Sequence, residues 1–525
     1  MKGLRWLLPL WLAAALLLTA GWYAAAQDTA RAPAQAAQPA ADPGNPVNEI
    51  AREAQTPESG VVAPNAQPGP ATAGDVSVAQ RARMAQEEAA GGTLAERATS
   101  LLGLLVFVAL AYAMSVHRRA VAWRVVAWGL GLQFIFAVLI LKTWPGRWVF
   151  ERLNEVFTTL LGYTGEGARF IFGNLVLNNV PVGPADGPMS PVAAAGTWAN
   201  TGAFFAFNVL PTIIFFSSLM TLLYYFGIMQ LLVKAFAWVM IRTMGTSGSE
   251  SLSAAGNIFL GQTEAPLLVK PFVRTMTKSE LHSVMTGGFA TVAGGVMAAY
   301  VGMLVAYFPN IAGHLIAASV MSAPAALAIS KVMYPETEES PTRGQMKIEL
   351  ENVDANAVDA AARGASEGLS LALNVAAMLM AFIALLALFN GIVHGVAGWF
   401  GLDLTIQKIL GWIGAPLAWL MGTPWKDAQA VGMLIGEKTA LNEFVAYLHL
   451  AEMLQGGQQL SARSVVIATY ALCGFANLSS IAIQIGGIGG LAPERRGDLS
   501  RLGFRAMIAG TLASFMTACV VGILL

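Results

Sequence analysis

Two polar clusters stand inside long apolar runs, and their residue types define the chemistry open to this chain. The first, GNIFLGQTEAPLLVKP from Gly256 to Pro271, carries Asn257, Gln262, Thr263, Glu264 and Pro266 within ten residues. The second, GEKTALNEFVAY from Gly436 to Tyr447, carries Glu437, Lys438, Asn442 and Glu443, and Gly474, Phe475, Asn477, Ser479 and Ser480 follow it. Carboxylates, amides and hydroxyls in this mixture suit a neutral ligand rich in donors and acceptors. The vicinal hydroxyls of a sugar can donate to one carboxylate while an amide satisfies the rest. Asn257 and the backbone around it are oxygen donors suited to a hard cation. A proton carried by Glu264 or Glu443 is the rival coupling chemistry. Glu264 and Glu443 as acid and base would make a membrane-embedded hydrolase, but no Ser-His pair, metal-ligand histidine spacing or phosphate loop accompanies them. The GGIGG run from Gly486 to Gly490 lacks the preceding strand and following helix of a nucleotide fingerprint. His282 reads as an interface residue, and a passive solute channel is the other non-enzymatic alternative.

The elements that must position these residues follow from composition. With 56% hydrophobic and 12% charged residues, the chain is an all-α polytopic membrane protein. Zero formal net charge gives no electrostatic case for nucleic acid. Cys473 and Cys519 lie in apolar segments and read as packing residues, with no disulfide framework or metal spacing. A lipid-facing helix cannot hold the first cluster, because an unpaired carboxylate and a proline-broken backbone are both costly in hydrocarbon. A re-entrant hairpin solves this by turning its tip toward a water-filled cavity; a solvated cytoplasmic loop is the plainer alternative. The helix from Ser279 contains Gly287-Gly288 and Gly294-Gly295 with Thr291 between them. We expect it to break there and expose backbone carbonyls, as against mere tight packing of small residues.

In chain order, Lys2 and Arg5 precede an apolar core and the small residues Ala24-Ala25-Ala26, the pattern of a signal peptide over 1–26, with an uncleaved anchor as the alternative. Residues 27–98 contain neither lysine nor aromatic residue and predict a disordered exported tail. Spans are expected at Leu101–Val116, Val121–Leu141, Phe204–Val233, Ile311–Met333, 370–396 and Val465–Ile485, with a last one ending at Leu525. Residues 142–200 read as an interfacial helix and outer loop, and a tryptophan-bearing interfacial helix is expected after Trp399. Arg118, Arg119 and Arg124, then Arg242, Arg274 and Lys278, then Arg495, Arg496 and Arg501 mark cytoplasmic loops, leaving the tail and the C-terminus outside. The order polar hairpin, then helix interrupted by small polar residues, occurs twice, a pattern-level sign of an inverted repeat.

These same motifs carry a family resemblance. GNIFLGQTEAPLLVKP, TGGFATVAGGVMAAY, NEFVAY and CGFANLSSIAIQIGGIGGLAPERRGD occur in that order and closely resemble the concentrative nucleoside transporter family from about residue 100 onward. The resemblance implies about eight transmembrane helices, two re-entrant hairpins, scaffold and transport domains and a homotrimer in the lipid bilayer. It further implies cation-coupled uptake of a nucleoside such as uridine across a bacterial inner membrane, by an elevator-like movement and with no cofactor. It divides the chain into scaffold spans and interfacial helix (99–248), first hairpin and broken helix (249–335), cytoplasmic loop (336–368), scaffold span and interfacial helix (369–425), and second hairpin with the C-terminal half of the transport domain (426–525). Carried over by motif, Gln262, Thr263, Glu264, Val296 and Phe475 face the nucleobase, and Glu443, Asn477 and Ser480 bind the ribose. The sodium set is Asn257, Leu260, Thr291 and Val292, Thr291 keeping a hydroxyl where sodium-coupled members carry serine. Sodium is the expected coupling ion and a proton the alternative, and Glu437 departs from the family pattern.

Overall fold

The structure, a computed structural model, describes residues 92–176, 179–181, 198–200, 205–343, 354–456 and 460–525. The expected leader, nearly all of the tail, and parts of the outer loop and of the charged loop after Tyr334 lie outside these residues. Helix α1 (Leu94–Ala113) begins within the stretch expected to be tail. Thr93 caps it reciprocally with Glu96, which satisfies two of the first N–H groups and fixes the start. Helix α2 (Trp123–Lys142) and the long amphipathic α3 (Trp144–Phe172) follow, with Pro145 in the first turn of α3 and Gly173 at φ 57° ending it. Two three-residue strands, Asn179–Pro181 and Trp198–Asn200, pair antiparallel.

The apolar run from Phe204 to Val233 is not one span. Helix α4 (Leu210–Tyr225) stops at Phe226, Gly227 takes φ 79°, and a separate helix α5 (Ile228–Met244) follows. Only glycine adopts that left-handed geometry without a steric cost, so one residue divides the run.

The first polar cluster is a hairpin. Helix α6 (Gly248–Gly256) leads to an irregular tip, and a 3-10 turn (Ala265–Val269) runs into the short α7 (Lys270–Val273). Helix α8 (Lys278–Ala290) is separated from α9 (Gly294–Leu304) by Thr291, Val292 and Ala293. The break therefore adjoins only the second glycine pair. Gly287 and Gly288 remain helical and serve close packing: a Cβ on Gly287 would lie 3.0 Å from the Asn257 amide, and one on Gly288 2.9 Å from Gln262 Cβ.

Helix α10 (Ile311–Met333) matches its expected bounds. Helix α11 (Ala357–Gly398) is longer than the expected span and takes in the end of the segment expected to be a loop. Its first turns are held by Arg363, which pairs with Asp354 at 2.7 Å and keeps that carboxyl below the usual range. Helix α12 (Ile406–Leu420) precedes the second hairpin, α13 (Trp425–Ala440) and α14 (Glu443–Gln455), which turns at Leu441 and Asn442. A second broken helix follows, α15 (Ala462–Leu472) and α16 (Leu478–Leu491), and α17 (Arg496–Leu524) closes the chain.

Among the described residues, seven helical stretches are long and apolar enough to cross a membrane: 94–113, 123–142, 205–225, 278–304, 311–333, 357–398 and 493–524. The shorter apolar pair α15 and α16 adds a further broken crossing. Packing repeats in the two halves: α8 and α15 each lie on both α10 and α17, while α2 covers α10 and α1 covers α17. The first broken helix, α10 and α15 are almost wholly buried and α17 largely so, whereas α16 is partly exposed and α11 exposes most of its length and packs mainly on α4. Gly364 and Gly368 permit that crossing; a Cβ at either would come within 2.8 Å of the α4 backbone.

Candidate functional site

The site is built where the two hairpins meet the two helix breaks. At the first tip the Gly294 amide donates to the Phe259 carbonyl at 3.0 Å, tying the tip to the start of α9. Glu264 is exposed, and its carboxylate folds back to accept from the Gly261 amide at 3.1 Å. Charges on Arg363 and Glu367 of α11 lie within its electrostatic range. Thr263 is half-buried against Gly487 on α16. Gln262 points inward: its amide donates to Ser480 Oγ at 3.1 Å and its oxygen accepts from Gln484 at 3.1 Å.

The second hairpin supplies Glu443, the first residue of α14, placed there because Asn442 caps the helix through the Val445 amide. Its two oxygens accept from Tyr300 OH at 3.0 Å and from Asn477 Nδ2 at 2.9 Å. Asn477 caps α16 by accepting from the Ser480 amide at 2.9 Å, and Ser479 donates to the same oxygen at 2.7 Å. Gln262, Ser480, Asn477 and Glu443 thus form one continuous polar seam across both repeats. Val296 is buried on α9, one turn before Tyr300, and Phe475 is half-buried in the second break. A carboxylate offers about four lone-pair directions, so Glu443 keeps capacity to accept from a ligand hydroxyl beside its bonds to Tyr300 and Asn477.

Asn257 is fully buried beside the first break. Its Nδ2 donates to the Ser253 carbonyl at 3.0 Å, while its Oδ1 has no partner among the described residues. Thr291 donates to the Gly287 carbonyl at 2.9 Å, which leaves its lone pairs free, and Leu260 and Val292 are buried. An orphaned amide oxygen beside the carbonyl end of α8 fits a hard monovalent cation, since buried acceptors and helix C-termini both favour positive charge.

Several residues of this neighbourhood were not singled out by the sequence. Tyr300 lies in an apolar helix and Gln484 in the glycine-rich α16, where Gln484 also donates to the Met285 carbonyl at 3.2 Å. Their polar ends become visible only once the helices cross. Lys438 is buried and donates to backbone carbonyls of the second broken helix. Glu437, the departure from the family pattern, is buried and pairs with His449 at 2.8 Å. His282, expected at an interface, is instead in the core and bonded to Ser330 at 2.7 Å. The cysteines are free and buried. At the hairpin base Lys331 bridges Glu250 at 2.7 Å and Glu336 at 3.2 Å.

Three family descriptions match the chain in order: "Na+ dependent nucleoside transporter N-terminus" over residues 102–175, "Nucleoside recognition" over 206–307, and "Na+ dependent nucleoside transporter C-terminus" over 314–522. An uncharacterized transporter of Haemophilus influenzae is 46% identical over 429 residues, covering 81% of this chain and 97% of that protein. Mouse solute carrier family 28 member 3 is 44% identical over 440 residues, covering 80% of this chain. Mouse sodium/nucleoside cotransporter 1 is 43% identical over 443 residues, covering 82% of it. The chain spans 58% and 64% of the length of these two mouse proteins. Among solved structures, the protein CNTnw in an inward-facing substrate-bound state aligns with TM-score 0.72 at 44% identity, covering 81% of this chain and 97% of that one. A variant of CNTnw in an outward-facing state aligns with the same score and identity.

Proposed function

Because this chain belongs to the Na+ dependent, concentrative nucleoside transporter family, we propose that it carries nucleosides across the membrane by sodium-driven alternating access. The observation that carries the reading is the polar seam from Gln262 through Ser480 and Asn477 to Glu443. It joins both hairpins at the point where both crossing helices lose their helical hydrogen bonds. Glu443, Asn477 and Ser480 bind the ribose hydroxyls; Gln262, Thr263 and Glu264 meet the base, with Val296 and Phe475 as its apolar walls. Sodium, carried as a co-substrate, sits among Asn257, Leu260, Thr291 and Val292. The orphaned Asn257 oxygen favours sodium over a proton.

Coupling follows from position. An ion between the first tip and the first break fixes the tip on α9, and Gln262 and Thr263 are then held ready for the base. Each ligand stabilises the arrangement the other needs, so they bind with positive linkage. The hairpins and broken helices move together as a transport domain against a scaffold that includes α4 and α11. Relatives solved in inward-facing and outward-facing states support this movement. We place the protein in a bacterial inner membrane as a homotrimer, its N-terminal tail and C-terminus outside, with the exposed length of α11 facing lipid or partner subunits.

The test is radiolabelled uridine uptake into proteoliposomes under an inward sodium gradient, a proton gradient or none. Accumulation above the external level only with sodium is expected. Accumulation with protons alone would replace sodium by a proton, equilibration without accumulation would mean a channel, and chemically altered uridine would mean a hydrolase.

A further inference from the structure

The second hairpin carries a buried cation that is hydrogen-bonded to backbone carbonyls and lies within electrostatic range of Glu443. Lys438 lies in the last turn of α13, wholly inside the protein. Its ammonium donates to the carbonyl oxygens of Ala471 at 2.8 Å and Cys473 at 3.4 Å. These belong to the last turn of α15 and to the residue that ends that helix. A helix C-terminus leaves carbonyls without intrahelical partners and carries partial negative charge, so a cation is favoured there. A fully buried ammonium is otherwise costly, which makes its position informative.

The first repeat presents the same arrangement with a different occupant. Asn257 ends α6 much as Lys438 nears the end of α13, and Ala290-Thr291 ends α8 as Leu472-Cys473 ends α15. Both helices then break, and both pack on α10 and α17. In the first repeat the hairpin offers an amide with an unpartnered oxygen. In the second it offers a positive charge already bonded to the helix end. On the sodium reading, one helix end takes a mobile cation, and the other is filled by a side chain.

We propose that Lys438 is a tethered cation occupying, in the second repeat, the place that the transported ion takes in the first. The chain then binds one coupling ion rather than two, and ion binding controls only the first hairpin. Removing the ammonium while leaving its space uncovers a second monovalent-cation site at Ala471 and Cys473. This rests on the sodium reading given above.

The experiment compares wild type with Lys438→Ala and Lys438→Ser in proteoliposomes. It measures uridine uptake against sodium concentration, and charge moved per uridine under an imposed membrane potential. The Hill coefficient for sodium, bounded by the number of sites, is expected to rise from about one toward about two, and the charge ratio with it. A sodium-dependent wild type beside variants with unchanged steepness and charge ratio overturns the proposal alone. A wild type indifferent to sodium overturns the sodium reading and this proposal with it. Should the variants not transport, thermal unfolding of purified protein against sodium decides. A second sodium-dependent stabilisation in Lys438→Ala that survives addition of Asn257→Ala supports the tether, and its absence overturns it. Variant protein recovered only at high sodium also supports it; variant protein recovered at no sodium concentration counts against it.

Discussion

Glu443 is the side chain whose chemistry is most sharply defined. Tyr300 and Asn477 already hold it at 3.0 and 2.9 Å, which fixes the directions of its remaining lone pairs. A hydrogen bond to a charged group contributes on the order of 1.5–3 kcal/mol, so Glu443→Gln should weaken uridine binding roughly ten- to a hundredfold. Calorimetry with uridine and its deoxy analogues checks the assignment. Loss of a ribose hydroxyl should cost wild type more than Glu443→Gln, whereas simple additivity would reduce Glu443 to a structural role. At the ion set, Asn257→Ala and Thr291→Ala should raise the sodium concentration for half-maximal uptake; unchanged sodium dependence would favour a proton. Glu443 and Asn257 were legible in the sequence because a carboxylate or amide in an apolar run demands an explanation. Tyr300 and Gln484 were not, since a tyrosine and an amide among glycines are each ordinary until the fold joins them; Lys438 stood in the second polar cluster, but its bonding to a helix end is visible only in the fold.

Helix breaks and turns were legible only in part. The first hairpin announced itself through Pro266 and Glu264, but glycine pairs read alike whether they unwind a helix or admit a neighbour. Gly287 and Gly288 proved to do the second, Gly227 divided a run that hydropathy alone kept whole, and α11 extended into residues whose charges suggested a loop. Gly474 is the decisive glycine among the breaks. It takes φ 114°, and a Cβ there would lie 2.6 Å from the Phe289 carbonyl and 2.8 Å from the Ala290 carbonyl carbon. Gly474→Ala combines backbone strain with overlap against a backbone that cannot step aside, so a cost on the order of 2–4 kcal/mol is expected. Thermal unfolding of the purified protein should show it as a lowered midpoint, together with loss of uptake. An unchanged midpoint would mean that the two breaks do not rest on each other.

For the molecule as a whole, charge and hydropathy together gave the membrane crossings, because basic loops and apolar runs are additive signals that survive without knowledge of contacts. How the crossings stack is a property of side-chain shape, which sequence order does not carry. The orientation remains directly measurable: an impermeant thiol reagent should label a cysteine introduced near Ala36 in intact cells, and one near Gly497 only after permeabilisation. Reversed labelling would invert both hairpins. The contact of Gly474 with Phe289 and Ala290 has a consequence in time as well as in space. Amides at 287–292 and 471–476, backed against one another at the centre, should be among the last in the protein to exchange with deuterium. The first tip at 257–264 is tied to α9 by a single backbone bond and should exchange far sooner, and sodium should slow it without altering the centre. The part of the protein that grips the solute would then be quick to open, while the part that carries it stays closed for as long as the fold endures.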